Sequence, residues 1–235
     1  MDYLISELLE QFDAVLTCFS YKVADKDSFR KNLPNRPSLF LNLNQRHTAR
    51  IVALSEEDLS DKDLAEKLAR TPADGLVTKA KNVALEIATA DCLPLLLYEP
   101  NARIISAVHC GWRGIAKGIV GNALAEIELL GGKPKNLFAA AGPFICRDCY
   151  EVGDDVVKAF APLKLSQAVF ARRSGGKHLL DLGRAVFELL ARGGVLPERI
   201  DISDDCTLHN IDRRFASYRR EKSAAKRQLS LIWLR

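Results

Sequence analysis

Residues 93–109 read Leu-Pro-Leu-Leu-Leu-Tyr-Glu-Pro-Asn-Ala-Arg-Ile-Ile-Ser-Ala-Val-His. Leu95 to Tyr98 and Arg103 to Val108 are short apolar runs on either side of Glu99-Pro100-Asn101, a cluster of turn formers. Two strands joined by a turn follow from that pattern. Upstream, alternation at Val83, Leu85 and Ile87 predicts another strand. Downstream, a helical repeat runs from Gly114 through Ile115, Ile119, Leu124 and Ile127 to a stop at Gly131–Gly132. Strands thus come in runs as well as alternating with helices, which argues against a strict doubly wound topology. The expectation is a single α+β domain, residues 1–235, with mixed β-sheets flanked by helices.

The remaining chain keeps this habit. Met1 to Phe12 places Leu4, Ile5, Leu8, Leu9 and Phe12 on one helical stripe. Strands are expected at Val15 to Ser20, Ser38 to Leu43 and Arg50 to Leu54, and Ser60 with Asp63 fits a capping box for a helix ending near Arg70. Leu137 to Ala141 reads as a strand of small residues entering Gly142–Pro143, and a helix follows Gly153. Asp181 can cap a helix through Leu190 that Gly193–Gly194 ends, before late strands at Ile200 to Ser203 and Gln228 to Leu234. No repeat, low-complexity tract or linker-like stretch interrupts the series.

Composition narrows the function classes. With 235 residues, 48% of them hydrophobic, the chain can bury one sizeable core. Its longest apolar runs fall far short of the roughly 20 residues that cross a bilayer. The acidic, amphipathic start resembles neither a signal peptide nor an anchor, so six cysteines read as thiols in a reducing, cytoplasmic compartment. There are four histidines, His47, His109, His178 and His209, and the one methionine is Met1. A multicopper oxidase needs roughly ten imidazoles, so this chain can supply at most one small imidazole-containing centre. The net charge of +4 is mild and selects no partner.

The densest chemical signal is Thr89-Ala90-Asp91-Cys92-Leu93-Pro94 followed by Val108-His109-Cys110-Gly111-Trp112-Arg113-Gly114. Cys92 follows one expected strand and His109 ends the next, so both can meet at one sheet edge. Gln45-Arg46-His47 lies between two earlier strands. One thiolate and two imidazoles make a three-ligand set, the number that catalytic zinc sites use while leaving a position for water. Alternatively Cys92 is a buried structural thiol, or a nucleophile with His109 as its base and Arg113 lowering its pKa.

Cys146-Arg147-Asp148-Cys149 is a C-x-x-C, read here as structural, because no second C-x-x-C or pair of histidines lies near it in sequence. It also lacks the H-x-E and P-C-x-x-C pattern of zinc nucleobase deaminases. The basic excess in residues 212–226 (Arg213, Arg214, Arg219, Arg220, Lys222 and Lys226) suits phosphate, while Phe215 and Tyr218 alone give little support for nucleic-acid binding. Gly111 to Gly114 opens a helix whose N-terminus, with Arg113, can receive an anion.

Taken together these motifs resemble the laccase-domain or polyphenol oxidase family, whose members are now regarded as purine nucleoside phosphorylases and include peptidoglycan-editing factors. The matching stretches, besides the two just quoted, are Gln45-Arg46-His47, Ala73-Asp74-Gly75, Gly142-Pro143, Cys149-Tyr150-Glu151-Val152-Gly153 and Asp181-Leu182. Cys206-Thr207, Phe215-Ala216-Ser217-Tyr218-Arg219-Arg220 and Gln228-Leu229-Ser230-Leu231-Ile232 complete them, and the likeness runs from about Leu41 to the C-terminus.

The resemblance implies a metal, usually zinc with copper as the other candidate, held by His47, Cys92 and His109. It implies phosphorolysis of adenosine, inosine and methylthioadenosine, with deamination of adenosine, and so a small nucleoside and phosphate as partners rather than a membrane or nucleic acid. Oligomeric state is not implied. Residue chemistry adds Arg113 or the Arg219–Arg220 pair as phosphate holders and Asp91 as a group orienting a ligand or metal-site water. The competing functions are a cysteine hydrolase or amidase built on Cys92 and His109, including peptidoglycan-precursor editing, and the older copper-dependent phenol oxidation. Against the family pattern, two upstream stretches are missing and region 1–40 is short, Thr48 stands where a glycine is usual, and Arg46 replaces a small apolar residue.

Overall fold

The computed structural model describes residues 3–210, 212–222 and 226–235. Met1 and Asp2 of the expected N-terminal helix and residues 223–225 of the basic segment 212–226 lie outside them. In chain order the strands are β1 (Tyr3–Leu4), β2 (Val15–Val23), β3 (Leu39–Leu41), β4 (Ile51–Leu54), β5 (Gly75–Thr78), β6 (Val83–Thr89) and β7 (Leu93–Glu99). They continue with β8 (Ile104–Cys110), β9 (Phe138–Ala141), β10 (Glu151–Val152), β11 (Phe170–Arg173), β12 (Lys177–Leu180), β13 (Ile200–Ile202) and β14 (Arg227–Leu234). The helices are α1 (Glu7–Glu10), α2 (Lys26–Lys31), α3 (Leu64–Arg70), α4 (Trp112–Ala116), α5 (Ile119–Leu129), α6 (Asp154–Phe160), α7 (Leu182–Arg192) and α8 (Tyr218–Glu221).

Among the described residues the strands form a six-stranded sheet ordered β13-β9-β7-β8-β5-β4, a five-stranded sheet ordered β1-β2-β14-β6-β3, and a small sheet β10-β12-β11. Both large sheets mix parallel with antiparallel pairs, such as β3 with β6 against β14 with β6. The expected α+β class with mixed sheets is what the chain adopts.

The quoted stretch forms the centre. β7 pairs antiparallel with β8, so that Leu93 faces Cys110 and Pro94 faces His109. Every residue of both strands is buried. Leu96 and Tyr98 of β7 and Ile105 and Ala107 of β8 point into the layer shared with the five-stranded sheet, against Leu85, Ile87 and Ile232. Leu93, Leu95 and Leu97 point the opposite way, onto Ile119, Ala123 and Ile127 of α5 and Val186 and Leu190 of α7. A strand covered on both faces needs apolar side chains at every position, which is why residues 93–98 read as one continuous run. Burying each such leucine contributes roughly 1.5–3 kcal/mol.

The outer face of the five-stranded sheet is closed by Leu33 and the half-buried Phe29 packing on Leu229, Leu231 and Trp233. Glu86 emerges under this cover. Its side chain is wholly buried and its Oε2 accepts Arg30 Nε at 2.9 Å and Nη2 at 2.8 Å, while the Lys26 ammonium stands 3.8 Å from Oε1.

Local expectations fail where tertiary contacts outbid periodicity. The N-terminal stripe is not one helix: Tyr3 and Leu4 pair with Ser20 and Phe19 of β2, and only Glu7–Glu10 coil, capped by Ser6. The helix expected from Gly114 to Gly131 is two, because Gly118 has a φ of +90° and interrupts the repeat. The capping box at Ser60 does not form. α3 starts at Leu64 after Asp63, which makes no side-chain cap bond, and the Ser60 hydroxyl instead donates to the Glu57 carbonyl. The Asp181 cap on α7 does form, its carboxylate accepting the Arg184 N–H at 2.8 Å. Periodicity missed α2, α8 and the strands β5, β10, β11 and β12, which are short or lack alternation.

Removing Arg30 would leave a buried carboxylate with little compensation. Arg30→Ala is therefore expected to lower the unfolding free energy by roughly 3 kcal/mol in urea titrations, and adding Glu86→Leu to restore part of it. Equal stability of Arg30→Ala and the unaltered protein would show that Lys26 alone suffices.

Candidate functional site

Cys92 precedes β7 and His109 sits near the end of its antiparallel partner β8, so the open end of this hairpin, opposite its turn, brings them to one sheet edge, as the motif spacing predicted. His47 arrives from the β3–β4 connection. Its Nε2 lies 3.8 Å from Cys92 Sγ, and its ring lies 4.8 Å from the ring of His109. The three donor atoms fall within 4.8 Å of one another.

What holds His47 in place is a residue to which the sequence reading assigned no role. Asp74, immediately before β5, is fully buried. Its carboxylate accepts the backbone N–H groups of Arg46 at 3.2 Å, His47 at 2.9 Å and Thr48 at 2.7 Å, and the Thr48 hydroxyl at 2.8 Å. It also accepts Nδ1 of His109 at 2.7 Å. The nest of three N–H groups requires His47 at a φ of +57°, an uncommon conformation for a side chain of its size. Thr48 adds a donor of its own through its hydroxyl. Lys117 and Asn122 tie the carbonyls of His47 and Ala49 to the helices beside them. The Ala73-Asp74-Gly75 motif was the available signal for Asp74.

Electrostatics follow from this packing. Burial by itself would raise the Asp74 carboxyl, but the bond from His109 and the bonds from Thr48 prevail and hold it well below the usual carboxylate range. Burial would likewise raise the Cys92 thiol; the charge of His109 and hydrogen bonds from both histidines bring it down to about 6. His109 is the mirror image. Burial disfavours its charged form, while Cys92 and Asp74 raise it to about 9. Between those values the metal-free pair is a thiolate beside an imidazolium.

The arrangement fits a metal ion. One soft thiolate and two imidazoles are a donor set for zinc or copper. Asp74 engages Nδ1 of His109, which directs Nε2 to the centre, the carboxylate–histidine device common at metal sites. Gly111 leaves the cradle open. A Cβ there would lie 2.6 Å from the His47 ring and 3.1 Å from Cys92 Sγ.

These groups floor a cavity of about 710 Å³. Arg113, Arg219, Lys222 and Arg227 line it, with Trp112, Tyr150 and Tyr218 as aromatic walls. Thr89 lines it too, and its buried Oγ1 has no hydrogen-bond partner among the described residues. Arg113 stacks over Trp112 at 4.2 Å and Arg219 over Tyr150 at 5.3 Å. Asp91 is at the wall, with one oxygen accepting the Thr207 hydroxyl at 2.7 Å and the other the Arg219 N–H at 2.6 Å. Its φ of +84° is fixed by those two ties. The Arg219–Arg220 pair is divided. Arg219 faces the cavity, whereas Arg220 spends its guanidinium on the carbonyls of Thr207, Leu208 and Phe215 and on Glu221.

The other two histidines lie elsewhere. His178 meets Asp154 at 2.8 Å, and His209 sits with Cys146, Cys149 and Cys206. A cluster of several coppers therefore has no set of histidines to hold it.

The sequence profile described as multi-copper polyphenol oxidoreductase laccase matches residues 23–235, reaching further upstream than the motifs alone. The chain belongs to that family. A protein named purine nucleoside phosphorylase from Deinococcus radiodurans is 38% identical over 161 residues, 68% of this chain and 61% of that one, so the chain matches less than two thirds of that relative's length. A protein named adenosine deaminase RL5, from an unknown prokaryotic organism, is 31% identical over 208 residues, 88% of this chain and 75% of its own. Among solved structures, YfiH of Bacillus licheniformis superposes with a TM-score of 0.87 at 25% identity, covering 100% of this chain and 97% of its own. YlmD of Geobacillus stearothermophilus shares the fold with a TM-score of 0.88 at 24% identity, with the same coverage. No helix among the described residues is long and apolar enough to cross a membrane.

In chelator-treated protein, alkylation of Cys92 followed by mass spectrometry should show a midpoint near pH 6. His109→Gln removes the cation and should move that midpoint above the ordinary thiol value of about 8.5. An unmoved midpoint would mean that His109 does not set the thiolate.

Proposed function

We propose that the chain is a zinc-dependent purine nucleoside phosphorylase that also deaminates adenosine, with His47, Cys92 and His109 as its metal ligands and adenosine, inosine and methylthioadenosine as substrates. The observation that carries this reading is the placement of one Cys and two His donors, within 4.8 Å of one another, on the floor of a cation-rimmed cavity of about 710 Å³. A volume of that order suits a small molecule such as a nucleoside. The names of relatives point the same way.

When bound, zinc would supply a Lewis acid able to activate a water for attack at the purine C6. The chain's own groups do the rest. Arg113 and Arg219 offer guanidinium forks to a phosphate dianion and bring it towards the sugar's anomeric carbon. As the bond to the purine breaks, positive charge grows on the sugar, and the held phosphate is the group that meets it. Trp112, Tyr150 and Tyr218 supply flat faces for the base. Asp91 positions rather than reacts: it ties Arg219 and Thr207 to the turn that carries Cys92. Asp74 keeps His47 and His109 aimed.

A cysteine hydrolase, including one acting on peptidoglycan precursors, is favoured by one observation, the thiolate at about 6 beside His109. The second imidazole against the same sulfur favours the metal reading. Copper-dependent phenol oxidation would have to run on a single centre, given where the four histidines lie.

Adenine release from adenosine should require phosphate, stop on chelation and return with zinc. Chelation-resistant amide hydrolysis that alkylation abolishes would install the cysteine hydrolase instead. Arg113→Ala is expected to raise the phosphate KM by about tenfold with kcat less affected, as loss of one charge-assisted contact predicts. Asp74→Asn should weaken zinc binding by roughly 10- to 100-fold, measured by competition with a chromophoric chelator. Because Cys92 and His109 must both lose protons to bind, zinc affinity should rise with pH between about 6 and 9.

A further inference from the structure

The C-x-x-C at Cys146 and Cys149, read from sequence as structural for want of partners, has partners in the fold. Phe144 and Cys206 form an isolated parallel bridge, with the Phe144 N–H donating to the Asp205 carbonyl at 3.3 Å and the Thr207 N–H to the Phe144 carbonyl at 3.0 Å. This brings Cys146-Arg147-Asp148-Cys149 beside Cys206-Thr207-Leu208-His209, a C-x-x-H in the neighbouring segment. His209 Nδ1 lies 3.7 Å from Cys146 Sγ and 3.2 Å from Cys149 Sγ, and the Cys146 N–H points at Cys206 Sγ at 3.4 Å. All four donor atoms fall within 4.8 Å of one another, and the three cysteines are free thiols.

We propose that Cys146, Cys149, Cys206 and His209 form a second metal centre, a closed tetrahedral zinc site that staples two loops behind the cavity wall. Around a zinc ion with Zn–S near 2.3 Å and Zn–N near 2.0 Å, tetrahedral geometry separates sulfur from nitrogen by about 3.5 Å. The two sulfur–nitrogen distances found here bracket that value. Three thiolates and one imidazole leave no position for water, the mark of a structural rather than a catalytic site. The paired C-x-x-C and C-x-x-H spacing lets each segment wrap half of the ion.

The location gives such a staple a purpose. Between Cys206 and Ser217 the described residues form no strand and no α-helix, so few backbone bonds hold this stretch. It nevertheless carries Thr207, which bonds Asp91, and leads into Tyr218 and Arg219. On the other side Cys149 is followed directly by Tyr150, and the next carbonyl, Glu151, accepts the Arg219 guanidinium at 2.8 Å. A metal joining the two loops would fix Tyr150 and Arg219 relative to each other without touching a ligand in the cavity. The site stands whether or not His47, Cys92 and His109 bind an ion.

Elemental analysis of protein purified without chelator, beside Cys92→Ala and Cys149→Ser, tests this. The expected content is about two zinc ions per chain, falling to about one in each variant. X-ray absorption of the zinc left in Cys92→Ala should show a shell of about three sulfurs and one nitrogen. Zinc confined to this site, kept in Cys92→Ala and lost in Cys149→Ser, would support the staple while removing the cavity centre. Zinc content unchanged by Cys149→Ser, or a zinc-free Cys92→Ala, would overturn it. If Cys149→Ser does not fold, His209→Ala at an exposed position replaces it, and zinc leaving that variant no faster than the unaltered protein counts against the proposal.

Discussion

The buried carboxylate of Asp74 holds together the part of this molecule that matters for chemistry. A carboxylate removed from water is costly unless its lone pairs are filled, and here five donors from two segments fill them. The same bonds that solvate Asp74 also force residues 46–48 into a tight nest with His47 at a positive φ, and lock the ring of His109 by its Nδ1. Orientation of two imidazoles is thus a by-product of solvating one charge. Asp74 can sit there only because β5 pairs with β8, placing Gly75 opposite Val108 and letting the His109 N–H reach the Asp74 carbonyl at 2.7 Å.

That pairing depends in turn on the layered core. The six-stranded sheet lies between the five-stranded sheet on one face and α5 and α7 on the other, so its central strands are dry on both sides and have little freedom to slip. The edge that carries the candidate metal ligands is built where these strands end. Cys92, His109 and Asp74 all lie within a residue or two of strand termini, where the backbone can turn while its position stays dictated by the sheet. The loops that add Tyr150, Tyr218 and Arg219 have no such support. They are held instead by the polar ties of Asp91, Thr207 and Arg220.

The family's description speaks of several coppers, yet the histidines of this chain are dispersed. Two share one thiolate, one lies on Asp154, and one completes a set of cysteines. Each donor set is of a size for a single ion, and the set of His47, Cys92 and His109 opens on a cavity. Around the open site, cations outnumber the single carboxylate of Asp91, so the cavity is prepared for an anion beside an aromatic surface. The neighbouring arginines of residues 219 and 220 show how far composition falls short of function. One faces the cavity, and its neighbour is consumed by carbonyls of its own loop.

Sequence by itself determined the central strands, since residues buried on both faces must be apolar at each position, and it determined the α7 cap and the glycine stops, which are local. The meeting of Cys92 with His109 was legible for the same reason: one turn separates their antiparallel strands, so a short stretch of chain implies the contact. His47 entered the candidate metal set as one of few imidazoles and was strengthened by likeness to a family, because nothing local ties it to Cys92. The role of Asp74, the partition of Arg219 from Arg220, and the union of Cys146-x-x-Cys149 with Cys206-x-x-His209 were decided by tertiary structure alone. Each depends on pairing between segments dozens of residues apart, and such pairing is settled by how whole layers pack rather than by any pattern within a window of sequence.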